Sequence, residues 1–256
     1  MRSIVKVDPH DLTFTTEPDG SHKAVIDILA VTFGDNGQIV DQIGRTHTIT
    51  LKDKTYDRIM NNGLTYDVAV PIKKPGAYQL RTAVRDVASE RVGSTSQFVE
   101  VPDLKKNRLT LSGLLLKGVP LQTYLKSGRG AVTNADDGIE ETDAEANTAV
   151  RRFKSGMVML YGLDIYNAQI NKQSGKPNLQ TQVRLFRDGK LVFTGKETPF
   201  EPGNQSSVNQ LNTVGAMHLG TELEAGEYVL QLLVTDLQVN GKYRVASQSI
   251  DFEIVR

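Results

Sequence analysis

The densest collection of chemically capable side chains in this sequence is Asp136-Asp137-Gly138-Ile139-Glu140-Glu141-Thr142-Asp143-Ala144-Glu145, six carboxylates within ten residues. Hard cations such as calcium take several oxygen ligands from one short loop, which makes metal binding the first chemistry to test against the spacing. A calcium loop alternates its acids as D-x-D-x-D-G. Here Asp136 and Asp137 are adjacent, and the later acids lack the glycine-set turn. A one-sided charge run of low hydrophobicity describes instead a solvated segment, or a charged loop that a protein partner contacts through Asp136, Asp137, Glu140, Glu141, Asp143 and Glu145. The run gives way abruptly to Arg151-Arg152-Phe153-Lys154.

Other reactive residue types are scattered. His10, His22, His47 and His218 show neither i,i+2 nor i,i+4 spacing, so they form no linear metal motif. Gly93-Ser94-Thr95-Ser96 carries the Ser-x-Ser half of a metal-ion-dependent adhesion motif without the Asp that must precede it. No glycine cluster follows a strand and opens a long helix, as a phosphate loop, a dinucleotide fingerprint or a nucleophile elbow requires. The chain has no cysteine and no tryptophan, which removes thiol nucleophiles, zinc-thiolate sites and disulfides together. The sequence therefore assigns no catalytic residue, no metal ligand and no cofactor.

Charge excludes a further class. Lys plus Arg and Asp plus Glu both number 30, with 12 cations against 14 anions in residues 1–103. No concentrated positive face for nucleic acid follows from this. No apolar run reaches the length of a transmembrane helix, and Met1 to Pro9 has no signal-peptide core, so direct membrane insertion is not expected. The sequence opens abruptly on a strand pattern, as a piece of a longer polypeptide would.

The elements that position these residues are announced by an internal repeat. Gly76-Ala77-Tyr78-Gln79-Leu80 through Val84-Arg85-Asp86 returns as Gly226-Glu227-Tyr228-Val229-Leu230 through Val234-Thr235-Asp236, keeping the spacing Gly-x-Tyr-x-Leu-x-x-x-Val-x-Asp. Val92-Gly93-Ser94 and Val245-Ala246-Ser247 follow the two copies. A repeat of this length fixes the folding unit, and its period is too long for a solenoid. The dominant hydrophobic period is two, with Thr, Val, Ile, Tyr and Phe between Gly, Asn, Asp and Pro turns. Seven strands are expected in each half: 3–7, 11–17, 22–33, 38–51, 64–72, 76–86 and 91–101, then 108–116, 157–167, 179–187, 190–198, 213–223, 226–236 and 243–255. Between 53 and 63 a short helix is expected, capped by Asp53 and ended by Gly63. Arg187-Asp188-Gly189-Lys190 gives the clearest hairpin turn, in the place of Asp35-Asn36-Gly37 in the first half.

This pattern predicts an all-β chain of two tandem immunoglobulin-like, or fibronectin-like, β-sandwich domains. The first spans 1–103, a linker covers 104–107, and the second spans 108–256 with a long acidic loop inserted at 117–150. Tyr78 and Tyr228 stand where a tyrosine corner closes such sandwiches, with Leu80 and Leu230 two residues on, where antibody domains place cysteine.

Several strings carry a resemblance. Gly76 to Asp86, Gly93-Ser94, Gln97 to Leu104, Leu109-Thr110-Leu111-Ser112-Gly113-Leu114-Leu115-Leu116, Val183 to Lys190 and Gly226 to Leu230 resemble the C-terminal β-rich part of Acidobacterial von Willebrand factor A-related proteins. The resemblance implies a longer, exported protein with an upstream A domain, and hence an extracytoplasmic location. No adhesion-motif residue maps onto this chain. The expected role is a non-catalytic structural or protein-interaction tail with a protein partner. A carbohydrate-binding sandwich module and a hydrolase accessory domain are the alternatives, and the lack of tryptophan speaks against the first of these.

Overall fold

The computed structural model describes residues 1–131, 143, 145–202, 205 and 209–256, and the side chains of all of these but 127–131. The chain divides into two compact units, Met1–Asp103 and Leu104–Arg256. Both are all-β sandwiches built from sheets that are antiparallel but for the short parallel pairing of Arg152–Lys154 with Glu253–Val255 in the second.

In the first unit β1 (Arg2–Val7) pairs with β5 (Leu64–Ala69) as one sheet. The facing sheet has β2 (Thr15–Thr16) and β4 (Ile39–Leu51) on β3 (His22–Phe33), followed by β6 (Gly76–Asp86) and β7 (Val92–Val101). Strict alternation buries one face of each central strand. Ile26, Ile28 and Ala30 on β3 and Leu80 and Val84 on β6 point inward, onto Val5 and Val68 of the smaller sheet, and Tyr78 on the same face of β6 is buried as well. Residues 11–17 were expected to be one strand. Instead Pro9–Asp11 form a 3-10 turn, in which proline supplies a pre-set φ at the first position, and only Thr15 and Thr16 pair with β3. The expected helix is α1 (Asp53–Asn62), with Gly63 at its C-cap at φ 83°. Lys52, not Asp53, is its N-cap, so the Asp53 carboxylate lies in the first turn, where it favours the helix dipole. Tyr56 anchors α1 by stacking on His22 at 3.8 Å and meeting Phe14 edge-on at 5.2 Å.

In the second unit one sheet joins β15 (Gln210–His218), β11 (Met157–Tyr166) and, along the other edge of β11, β8 (Thr110–Leu111) and β9 (Leu115–Pro120). The facing sheet runs β10 (Arg152–Lys154), β17 (Val245–Val255), β16 (Gly226–Asp236), β12 (Leu179–Arg187), β13 (Lys190–Thr194), with β14 (Thr198–Pro199) also on β12. The turn between β12 and β13 holds Asp188 at φ 51° and Gly189 at φ 72°, the two left-handed residues that a tight hairpin requires. Tyr228, Leu230, Leu232 and Val234 alternate inward along β16.

The expected loop at 117–150 is corrected by this arrangement. Lys117 to Pro120 complete β9, which is antiparallel to β11 from Leu115↔Gly162 to Pro120↔Met157. Leu121–Ala131 form a helix, α2, whose Leu121 and Tyr124 cover Val119, Val158 and Leu160 on the outer face of that sheet. Residues 145–150 turn back into β10, and Ala146 is buried among Leu116, Phe153 and Met159. The apolar residues of the insertion thus have a core to join, which a fully solvated loop would not. Leu104–Lys106, read as a linker, form a 3-10 turn of the second unit, where the Leu104 carbonyl accepts a hydrogen bond from Asn167 Nδ2 at 2.9 Å.

Phe153, fully buried in a three-residue strand, measures how much β10 contributes. Phe153→Ala is expected to cost about 3–5 kcal/mol in urea unfolding, the range for truncating a buried aromatic. Tyr228→Phe, which removes only a hydroxyl, should cost about 1 kcal/mol. A Phe153→Ala loss no larger than that of an exposed change such as Thr194→Ala would remove β10 from the core.

Candidate interaction surfaces

Of the acidic residues offered as a partner-binding loop, Asp136, Asp137, Glu140 and Glu141 lie outside the described residues. Asp143 and Glu145 are placed, and both carboxylates are held inside the unit. Lys154 Nζ reaches Asp143 Oδ2 at 2.8 Å, and Arg152 Nη1 reaches Glu145 Oε1 at 2.9 Å. Arg152 Nε also bridges to Glu253 at 2.8 Å, while Arg151 pairs with Asp251 at 3.0 Å. Together with the Glu253 N–H bond to the Arg151 carbonyl, this ladder fastens the returning end of the insertion to β17. The basic run Arg151-Arg152-Phe153-Lys154 is therefore a turn residue, Arg151, followed by a strand whose core side chain Phe153 sits between two cations that face the acids.

Burial pushes the Asp143 carboxyl up, and the hydrogen bond from Lys154 and those from the Glu145 and Ala146 N–H groups outweigh it, so its pKa lies below 3.8. The Lys154 ammonium is raised by the same partnership.

The two tyrosines occupy matching places. Tyr78 Oη donates to the Lys74 carbonyl at 2.7 Å, and Tyr228 Oη donates to the Glu224 carbonyl at 2.8 Å. Each bond reaches back four residues to close the corner before the strand.

The aspartates that end the repeat were not singled out by the sequence, yet both are buried. Asp236 accepts the Gln169 N–H at 2.7 Å and the Gln238 N–H at 2.9 Å, joining two loops at one end of its sandwich. Asp86 accepts the Ser89 N–H at 2.9 Å and the Ser89 hydroxyl at 2.5 Å on Oδ2. Burial raises the Asp86 pKa, and Ser89 and the nearby Thr13 lower it by more, leaving it below the usual range. The signal available in sequence was parity, since an Asp two residues beyond the inward Val shares its inward face.

The histidines do not assemble. His10 bonds to Asp8, His22 stacks on Tyr56 with Asp53 at 3.5 Å, and His47 hydrogen-bonds Tyr66. Among the described residues no group of three His, Cys, Asp or Glu could hold a metal ion.

What stands out is exposed apolar surface on strands. On β13 the consecutive Leu191, Val192 and Phe193 are 53%, 50% and 45% exposed. Among the described residues only β12 pairs with β13, so its other edge presents free N–H and C=O groups. In the first unit β7 is likewise a terminal strand, and its Phe98 is 69% exposed. Among the described residues no helix is long and apolar enough to cross a membrane.

No family model and no curated protein matches the chain. Among solved structures it is similar to the C-terminal domain of the AgI/II polypeptide BspA of Streptococcus agalactiae, at 11% identity over 99% of this chain and 100% of that one. The TM-score of 0.25 fixes neither a shared placement of strands nor a shared role.

The Asp143 arrangement makes a signed prediction. Its folded pKa lies below the unfolded one, so its stabilisation is complete above about pH 3.8 and is lost as pH falls through the lower folded value. Asp143→Asn should therefore lower stability at pH 7 by about 1 kcal/mol, with the gap from the parent closing in more acid solution. Urea titrations of both proteins at pH 7 and at pH 2 measure it, and a gap that widened toward acid would contradict the assignment.

Proposed function

We propose that this chain is a non-catalytic structural and protein-interaction tail of an exported protein of the von Willebrand factor A-related kind, and that it holds protein partners through open strands of its two sandwiches. The observation that carries the reading is the run Leu191-Val192-Phe193 on β13. Three successive apolar residues must present both faces of a strand, and here both faces and one hydrogen-bonding edge meet water. Soluble proteins keep such edges short, charged or covered, because an unpaired apolar edge is a template for another chain. Exposed apolar runs of this kind are a liability unless something binds them.

The exported context and the extracytoplasmic location rest on the resemblance of the Gly-x-Tyr-x-Leu strings and their flanks. The balanced charge suits a protein partner better than a nucleic acid, whose phosphates need a concentrated positive field.

A photoreactive amino acid placed at Phe193, with cross-linking in intact cells and mass spectrometry of the products, is expected to capture a discrete protein. Leu191→Lys should reduce that product by at least about tenfold while leaving the melting temperature unchanged, since both positions are exposed. A product made equally by a control site such as Lys172, or unaffected by Leu191→Lys, would overturn the reading.

A further inference from the structure

The two units share a strand plan but differ in cover: Thr82 and Val84 are buried, at 3% and 9% exposure, while the β7 residues opposite them are exposed. In the second unit, Leu232 and Val234 of β16 are capped by Leu109, Leu111 and Leu114, with β8 paired to the free edge of β11 at Leu111↔Ile165. The repeat sets Thr82 and Val84 of β6 in the places of Leu232 and Val234. Above them, between β1 and β7, lies an open cleft of about 540 Å³ with Val5, Val7 and Leu12 on its far wall. Among the described residues β1 pairs only with β5, so the edge that corresponds to the β8 side of β11 is unpaired.

β7 records the same vacancy. Its inward positions Gly93 and Thr95, which face Val84 and Thr82, are exposed, whereas the matching Ala246 and Gln248 of β17 are half-buried. A Cβ added at Gly93 would meet nothing within 4 Å. Asp86, 2% exposed, lines the cleft, with Ser89 on Oδ2 and Thr13 as its other hydrogen-bonding neighbour. Its counterpart Asp236 uses both oxygens. Asp8 and Asp11 stand at the same end, so carboxylates outnumber Lys6 and Arg91 around the cleft.

We infer that the first unit accepts an extended segment of a partner protein in this cleft, as an added strand antiparallel to β1, carrying a basic residue followed by leucines at alternating positions. The second unit supplies the template for that strand in its own Arg108-Leu109-Thr110-Leu111-Ser112-Gly113-Leu114, where the Arg108 guanidinium lies over the Tyr243 ring at 3.9 Å. An antiparallel strand enters beside the C-terminal end of β1, which brings its leading basic residue to the carboxylates of Asp8, Asp11 and Asp86. Its leucines then lie over Thr82 and Val84, and its backbone satisfies the β1 edge, which is the strand-addition mode of peptide recognition. This inference rests on the protein-interaction reading above and names the form of partner it takes at one site.

The probe is a labelled synthetic peptide of residues 107–116, NRLTLSGLLL, titrated into the full chain and followed by fluorescence anisotropy. Binding is expected with a dissociation constant on the order of 10 µM, as suits a short strand. Gly93→Phe, which fills the empty space above β7, should weaken it at least about tenfold without lowering the melting temperature, and a peptide carrying Glu in place of its Arg should bind more weakly in low salt. Hydrogen exchange should show new protection in β1. Absence of binding, binding that Gly93→Phe leaves intact, or protection confined to β11, where the peptide would have displaced β8, each overturns the inference. A wild-type dimer that Gly93→Phe converts to monomer overturns it in favour of a second copy as the occupant. If cross-linking through Phe193 survives while the peptide fails, the protein-interaction reading stands and this site falls.

Discussion

Burial along the central strand β16 is the constraint on which the second unit depends. The strand is paired on both edges, by β12 and β17, so its backbone is satisfied without water. Its inward side chains, Tyr228, Leu230, Leu232 and Val234, then meet two core clusters that together run the length of the sandwich. With no cysteine in the chain, no disulfide joins the sheets, and this apolar contact holds them together. The tyrosine adds direction to it. Its ring is buried, so its hydroxyl must find a partner, and the Glu224 carbonyl four residues back is the acceptor that a sharp corner provides. At the other end of the strand Asp236, equally buried, is kept by two loop N–H groups. One strand thus fixes a corner, a core and a loop cluster.

The same logic in β6 explains why the repeated spacing carries so much information. Tyr, Leu, Val and Asp fall on one parity because all four point inward. A shift of one residue would place them in water. The strand pattern was legible for this reason wherever one face is buried and the other wet, as in β3, β6, β12 and β16. The Asp188-Gly189 turn was legible because its left-handed dihedrals restrict the residues that can form it.

The insertion was harder to read, for physical reasons that differ along its length. β9 is interrupted from β8 by Ser112 to Leu114, so the run 108–116 looks like one strand and the continuation through Lys117-Gly118-Val119-Pro120 looks like its end. α2 lacks an N-capping side chain and follows a strand without a turn, although Leu121 and Tyr124 keep the i,i+3 spacing of a helix face. β10 is three residues long, too short for any periodicity, and its one buried residue sits between cations. Charge dominates the local composition there, while the fold is decided by Phe153 and by the ladder to β17. A run of acids followed by a run of bases reads as a solvated loop. It is equally the signature of two segments that neutralise each other across a strand boundary.

Fold and function separate at the edges of these sandwiches. Inward residues are constrained by the opposing sheet and follow the strand period in both units. Whether an edge is closed depends on residues elsewhere in the chain, and no local pattern on the edge strand itself announces it. In the second unit β8 and β9 close β11, and β10 closes β17, while among the described residues nothing closes the outer edge of β13. In the first unit the terminal strand β4 carries Asp41 and Arg45 along its length, the kind of charge that blunts an edge, whereas β7 carries no charge from Val92 to Val99. Thr95, Gln97 and Gly93 on the inner face of β7 are too small or too polar to close the sandwich themselves. In the place of Gln97, β17 has Ile250, which packs on the core, while in the places of Thr95 and Gly93 it has Gln248 and Ala246, both half-buried. The economy of apolar residues on β7, beside a cleft lined by the carboxylates of Asp8, Asp11 and Asp86, is what a strand covered from outside would show.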